Sequence, residues 1–424
     1  MKDNWQVCEL GTVTSLITKG TTPTSLGYDF EENGINFIKV ESITKSGKFL
    51  KEKFNYISKD ADKALNRSRL FENDILFSIA GVIGRVAAVD KIILPANTNQ
   101  ALAIIRLKNE ENVNKEFLVI FLKSEKNQQQ INRISVQLAQ ANFSLGDLTK
   151  LVVDLPPLPQ QRKIAQILTT CDAVIEKTEA AIAKYQAMKQ GMMHDLFTRG
   201  IDVNTGKLRS KQDDAPELYK ESELGWIPKE WEVKRLEEIT LKIGDGIHST
   251  PKYVDSSKFN FINGNNLTDG KIVITSNTNF VSLEEYKKHH IELLENTILF
   301  SINGTIGNIA FYNSEKVVLG KSAAYFCFNN LEIMNYVYLI LQTEKTKRFY
   351  NLEQTGSTIS NLSLKALRNT PIPFSLEKEY KLITKLLNGI INKIQTEQSA
   401  LSKYQQLKTG LMQDLLSGRV EVEV

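Results

Sequence analysis

One pattern, present twice, limits what this chain can fold into. Ile164, Leu168, Cys171, Ile175, Thr178, Ile182, Tyr185, Lys189, Met192 and Leu196 follow one another at alternating steps of four and three. That is the spacing of a heptad seam, apolar apart from polar breaks at Thr178 and Lys189. Ile383, Leu387, Ile390, Ile394, Glu397, Leu401, Tyr404, Lys408, Leu411 and Leu415 make the same walk 219 positions later (383 − 164 = 219), breaks included. Chance does not align both a seam and its interruptions. Pro159 to Phe197 covers 39 positions (197 − 159 + 1), about 58 Å of helix. A helix that long with one apolar stripe needs a partner, and the other copy is the obvious one. With a short linker and a globular segment between the copies, antiparallel pairing is the expected arrangement. The alternative is a core helix packed only on its own domain.

The globular parts repeat as well. WQVCELGTVT from Trp5 returns as WEVKRLEEIT from Trp231, at an offset of 226 (231 − 5). Asn55-Tyr-Ile-Ser58 returns as Asn279-Phe-Val-Ser282, offset 224 (279 − 55), and ENDILFSIAGVIG from Glu72 as ENTILFSINGTIG from Glu295, offset 223 (295 − 72). A repeat of this size is a duplicated domain; solenoid units are about 20–50 residues. Each globular part is rich in short β-like runs: Ile35–Val40, Ile75–Ile79, Arg85–Val89 and Ala101–Leu107 in the first, Phe259–Ile262, Ile298–Ile302, Asn308–Tyr312 and Ala323–Phe328 in the second. Helical runs at Lys115–Ser124, Gln128–Leu138 and Met334–Tyr350 make the class mixed α/β. Prolines introduce each long helix and a glycine follows each, Gly200 and Gly418.

Composition bears on function mainly by exclusion. Net charge is +4 over 424 residues, which permits a nucleic-acid partner without demanding one. Cys8, Cys171 and Cys327 are far apart and read as reduced packing residues, neither a disulfide framework nor a metal site. The start MKDNWQVCEL has no signal-peptide core, and no run reaches the roughly 18 apolar residues of a spanning helix, so a soluble cytoplasmic protein is expected. There is no phosphate loop, no Asp/Asn-Pro-Pro-aromatic adenine methyltransferase motif and no His/Cys cluster at metal spacing. Asp154-Leu-Pro-Pro157 is spoiled by Leu155, and the four histidines stand in no triad spacing. The expectation is no catalytic residue and no metal. Two similar modules a fixed distance apart suit a long ligand read at two places, and DNA, with its helical repeat of about 34 Å, is the leading one.

Three motifs carry a family resemblance. GWIPKEWEVKRL from Gly225 resembles the G-x-I-P-x-x-W opening of a target recognition domain in the specificity subunits of type I restriction–modification systems. Leu155-Pro-Pro-Leu-Pro-Gln-Gln161, running into a heptad helix, is similar to that family's exit from such a domain, and the core LFSI-x-G-x-IG at Leu76 and Leu299 is also family-like. The resemblance covers essentially the whole chain, twice over. It departs at the first module, which lacks the G-x-I-P, and at the second exit, which is only Pro371-Ile-Pro373. It implies an α+β fold: two pseudo-symmetric target recognition domains (1–155 and 223–375) separated by two long helices (156–200 and 376–418) in an antiparallel intramolecular coiled coil, with a linker at 201–222 and a tail at 419–424. It also implies a non-catalytic subunit that reads a split sequence in double-stranded DNA, one half per domain. Such a subunit docks two methyltransferase subunits carrying S-adenosylmethionine and recruits motor–nuclease subunits that use ATP and Mg. A free-standing two-headed regulator and a coiled-coil adaptor are the alternatives.

Candidate DNA contacts are polar loops in which glycine allows close approach and Thr, Ser, Asn or Lys can hold phosphates or base edges. In the first module they are Lys19, Thr21, Thr22, Lys39, Ser42, Ser78, Arg85, Asn97, Asn99, Gln100, Arg133 and Asn142. In the second they are His248, Ser249, Thr250, Asn263, Asn265, Asn266, Ser301, Asn303, Thr305, Lys321, Ser322, Ser357 and Asn361.

Overall fold

The computed structural model describes residues 4–108, 112–138, 143–355 and 360–423. The chain forms two compact units, Met1–Ala180 with Gln398–Val424, and Ala181–Glu397. Both boundaries fall inside the long helices, Leu158–Thr198 and Glu377–Ser417, of 41 residues each. Each unit therefore contains one globular module, the first half of the helix that follows it and the last half of the other helix.

In the first unit a four-stranded antiparallel sheet runs in the order Thr14–Lys19, Leu102–Leu107, Ile75–Ser78, Val86–Ala88. Strand side chains alternate between faces, and here both faces are covered. Ile75, Phe77, Ala103 and Ile105 join the core under helices Lys115–Leu122 and Glu125–Leu138. Leu76, Leu102, Ile104 and Ala87 join a second core. Two buried faces explain why ILFS is an unbroken buried run rather than an alternating one. A second sheet has the order Asn55–Ile57, Ile35–Ile38, Ala96–Thr98, Arg69–Leu70, with the middle pair parallel.

The second unit repeats this plan. Lys242–Asp245, Ala323–Cys327, Thr297–Ser301 and Ile309–Phe311 form its antiparallel sheet. Ile298, Phe300 and Phe326 face one core, while Leu299, Tyr325 and Cys327 face the other. Asn260–Ile262 pairs parallel with Val317–Leu319, as in the first unit. The sheets differ at their edges: Tyr253–Val254 adds a strand on one side, and among the described residues no strand takes the place of Arg69–Leu70 on the other. The helical run expected at Met334–Tyr350 is two helices, Leu331–Leu341 and Glu344–Glu353, because the Thr343 hydroxyl caps the second by accepting from Thr346 N at 3.3 Å.

A strand leads into each long helix. Val152–Leu155 pairs with Gln6–Glu9, and Pro371–Phe374 with Glu232–Arg235. The two-stranded ribbon tolerates Pro371 and Pro373, which a central strand would not. Within the first unit Ile164 and Leu168 share a core with Leu415 and Leu416, and Asp172 receives a bond from Lys408 at 2.5 Å. Advancing along one helix thus means retreating along the other. The second unit shows the same sense: Met193 and Leu196 share a core with Ile383 and Leu387, and the Lys393 ammonium lies 5.7 Å from the Tyr185 ring centre. The helices run antiparallel in both units, and each also packs its first turns on its own module. Pairing and docking coexist, where the sequence had set them as alternatives.

Of the expected seam, Ile164, Leu168, Ile182, Leu196, Ile383, Leu387, Ile394 and Leu415 are buried. Cys171, Ile175, Tyr185, Met192, Ile390, Leu401 and Leu411 are half-buried, since a two-helix pair covers one stripe and leaves its flanks open. Tyr404 departs from expectation at 38% exposed. A 3.6-residue helix drifts off a 3.5-residue seam, and an amphipathic ring tolerates the wet edge.

The stretch 201–222, linker-like by composition, is built into the second unit. Ile201–Asp202 pairs with Lys207–Leu208, and Tyr219–Ser222 with Gly225–Pro228. Ile201, Tyr219, Ile227 and Trp231 are buried. The fully buried Glu379 carboxylate accepts from Ile201 N (2.7 Å), Arg209 Nη1 (2.5 Å) and Nη2 (3.1 Å), and Trp231 Nε1 (3.0 Å). Burial pulls the Arg209 pKa down, but the bond and charge of Glu379, helped by Glu230, leave it raised. The three cysteines are free. Among the described residues no helix is long and apolar enough to cross a membrane.

Candidate nucleic-acid interface

Both units build the same platform from the same backbone contacts. After the first sheet strand the chain turns at Gly20 in one unit and Gly246 in the other. A Cβ on Gly20 would lie 1.9 Å from the Thr98 carbonyl oxygen, and one on Gly246 would lie 2.1 Å from that of Leu319. Only glycine lets these loops press on the end of the parallel strand. The turn after the central strand is tied by serine: Ser78 Oγ accepts from Arg85 N at 2.7 Å and donates to Val82 O, while Ser301 Oγ accepts from Asn308 N at 2.8 Å and donates to Thr305 O. A later loop closes on it, through Phe143 N to Ile79 O (2.9 Å) and Leu362 N to Ile302 O (2.8 Å).

This frame decides which expected contact residues are available. Several of the candidate contacts are internal struts. Ser42 is fully buried and donates to Lys53 O at 2.9 Å, and Ser78 and Ser301 are fully buried turn ties. Asn97, fully buried, accepts from Ser68 Oγ and donates to Asp62 Oδ1 and Leu65 O. Asn266 donates to Val273 O and Thr278 Oγ1. Arg85 Nη1 donates to the carbonyls of Val40 and Ile43, and Ser322 Oγ accepts from Gly264 N. A polar side chain in a loop serves as readily to hold the loop as to meet a ligand. Lys39 is half-buried with its ammonium 4.5 Å from the Phe30 ring centre, and Asn263 Oδ1 accepts from Asn265 N.

The others stay available at the surface. In the first unit Thr22 Oγ1 donates to Gln100 Oε1, Gly20 N donates to Asn99 O at 3.1 Å, and Arg67 Nη2 reaches Thr21 Oγ1 at 3.2 Å. Lys19 and Gln100 are exposed, and so is Arg133 on its helix. Arg67 is a residue the sequence did not single out; it lies 46 positions from Thr21 and only the topology joins them. In the second unit His248, Asn303, Lys321 and Asn361 line one open cleft of about 580 Å³, with Asp245, Ile302, Leu362, Ser363 and Leu364. Asp245 Oδ2 lies 2.8 Å from His248 Nε2. Asn303 and Asn361 bridge through their backbones, while the side chains of Asn303, Asn361 and Lys321 bond to no described residue. Ser249, Thr250, Asn265 and Thr305 are exposed. Asn142 and Ser357 lie outside the described residues.

A larger cavity of about 890 Å³ lies in the second unit, lined by Lys189, Met193, Phe197, Ile340, Lys345 and Tyr350 among others. Lys189 donates to Gln342 Oε1 at 3.2 Å and Lys345 to Leu224 O at 2.7 Å. Burial lowers both ammonium pKa values, with Asp269 partly offsetting it at Lys189. This lining mixes helix and module, and has none of the exposed polar tips of the platform.

Known proteins carry the same double arrangement. The family model for the type I restriction modification DNA specificity domain matches residues 2–184 and again 228–406. A putative type I restriction enzyme MjaX specificity subunit of Methanocaldococcus jannaschii is 26% identical over 436 aligned positions, covering 99% of this chain and 95% of that protein. The EcoBI specificity subunit of Escherichia coli is 30% identical over 171 residues, 39% of this chain and 35% of its own length. Among solved structures, the S subunit of a type I restriction–modification system from M. genitalium has a TM-score of 0.57 at 18% identity, over 99% of this chain and 97% of that one. A structure concerned with complex assembly of the type I system reaches 0.56 at 16% identity, over 98% of both chains. These two share the fold. With the family model matched over both modules and the helices that follow them, the chain belongs to the type I restriction–modification DNA specificity family.

Proposed function

We propose that this specificity subunit reads a two-part target in double-stranded DNA, one recognition domain per part, and performs no chemistry itself. The observation that carries the reading is one platform built twice with different residues at its tips. A duplicated frame with unlike tips suits two unlike words on one duplex. In this reading residues 1–155 and 223–375 are the two recognition domains, and the antiparallel helices set the gap between words. The helices also dock two methyltransferase subunits and recruit the motor–nuclease subunits. S-adenosylmethionine, ATP and Mg belong to those partners, and the complex works in the cytoplasm. A solved structure of this fold that concerns type I complex assembly supports the docking role.

The test is a module exchange. Residues 1–155 are replaced by the corresponding module of another specificity subunit, the chain is expressed with its methyltransferase partner, and modified adenines are mapped across a genome. One half of the methylated sequence should change while the other half and the spacer persist. Change in both halves would refute the assignment of one word to each module.

A further inference from the structure

The register of the two sheets aligns the platforms position by position. Lys19 pairs with Ala103 and Asp245 with Ala324; Ser78 pairs with Leu102 and Ser301 with Ala323. Lys19 therefore corresponds to Asp245, and Thr22, two residues after its glycine, to His248. Ala80 corresponds to Asn303, and Gln100 to Lys321. The frame between them is kept: Gly20 as Gly246, Ser78 as Ser301, and the bond into Ile79 as the bond into Ile302. These three frame positions keep their residue, and these four tip positions change theirs. An acid replaces a base, an imidazole a hydroxyl, an amide a methyl, and an ammonium an amide.

The geometry points to these four positions as base-reading determinants, with Asp245, His248, Asn303 and Lys321 reading adjacent base pairs of the second unit's half-site. This rests on the two-word function proposed above and adds which residues read. An amide with no internal partner can take the N6 and N7 edge of adenine, and a lysine the O6 and N7 edge of guanine. Asn303 and Lys321 fit these descriptions, since both line the cleft and neither side chain bonds within the described protein. Asp245 fixes the His248 ring by accepting from Nε2, which leaves Nδ1 of the neutral ring to accept from an amino group such as N4 of cytosine or N6 of adenine. An acid in the cleft disfavours a phosphate there and favours an amino-bearing base edge. In the first unit the same positions offer Lys19, Thr22 and Gln100, a donor-rich set suited to a different word.

The test uses the complete complex with its methyltransferase partner. Single variants Asn303→Ala, Lys321→Gln and His248→Thr and the quadruple variant carrying the first unit's tips (D245K, H248T, N303A, K321Q) are compared by genome-wide mapping of modified adenines. Competition binding uses duplexes altered at one base pair at a time. Each lost bidentate contact should cut discrimination about ten- to a hundredfold at one or two adjacent positions of one half-site. The other half-site should be unchanged. A uniform loss of affinity over all sequences assigns the residues to phosphate positioning and overturns the inference. So does a quadruple variant that methylates the unaltered sequence. If the quadruple variant does not fold, the exposed singles His248→Thr and Lys321→Gln decide, since neither carries core packing. Whole-module exchange runs alongside: if it alters one half-site and the tip variants alter none, this inference fails and the two-word reading stands.

Discussion

Glu379→Ala is the perturbation whose cost the structure fixes best. The carboxylate is fully buried and accepts four bonds, two from a guanidinium that is itself only 10% exposed. Truncation leaves the Trp231 and Ile201 N–H groups without acceptors in the core and the Arg209 charge with only the Arg199 carbonyl at 3.3 Å and the Glu230 carboxylate at 3.7 Å. Breaking a buried pair from one side costs about 3–5 kcal/mol, and an orphaned buried N–H about 1–3 kcal/mol. These do not add fully, because one admitted water can serve two donors, so a loss of about 4 kcal/mol is expected for the second unit. Removing both ends with Glu379→Leu and Arg209→Leu should recover about 2 kcal/mol of it, since the cost lies in the stranded charge. With two units, a single global transition is not assured. Urea unfolding should therefore be followed by Trp231 fluorescence in a background carrying Trp5→Phe and Trp226→Phe, with native-state hydrogen exchange reporting each unit separately. Protection should fall through 201–236 and persist in the first unit's sheet. A Glu379→Ala loss below about 1 kcal/mol, or a double variant no better than the single, refutes the reasoning.

Three further outcomes are expected. Gly20→Ala and Gly246→Ala drive a Cβ into a backbone carbonyl that cannot step aside; each should cost about 1–3 kcal/mol in its own unit and weaken methylation through the matching half-site, read by thermal unfolding and adenine mapping. Asp172→Ala, at the partly exposed bond to Lys408, should cost under about 1 kcal/mol; a larger loss in the same unfolding assay counts against treating this pair as surface-screened. Burial lowers the Lys189 pKa in the folded state, so folding there disfavours the bound proton, and stability should rise as pH climbs from the folded pKa towards the ordinary lysine value of 10.5. Lys189→Met should flatten that rise in urea midpoints measured across the alkaline range.

The duplication and the seam were legible because burial writes them into the sequence at fixed spacing. Ile164 and Ile383 begin the same walk, and both sit in cores shared with the end of the other helix. The central strands were legible for a related reason: Ile75–Ser78 and Thr297–Ser301 separate two cores, so every position is apolar or small. The packing of 201–222 was not legible, because the acceptor for Ile201 N and Arg209 lies 178 and 170 positions away. No local pattern announces Glu379 as the acceptor that turns polar sequence into packed structure. The split of Met334–Tyr350 rests on a single threonine cap, a signal that helix periodicity overrides.

The candidate site shows where composition stops being informative. Asn97 and Asn99 are two positions apart in one polar loop, yet the first is a fully buried strut and the second half-exposed beside Gln100. What separates a strut from a tip is whether its hydrogen bonds are already spent within the fold. That cannot be read from residue type, because the partners Ser68 and Asp62 come from a different element. The internal repeat does carry the information once the register is known. The serine ties keep residue and geometry in both copies, as Ser78 and Ser301 do, while the buried strut Asn97 stands where the second unit has Val318, and the surface positions Thr22 and His248 differ as well. Comparing the two halves of one chain thus marks a kept frame at Gly20, Ser78 and Ile79, and burial then decides which of the differing residues around it can meet a ligand.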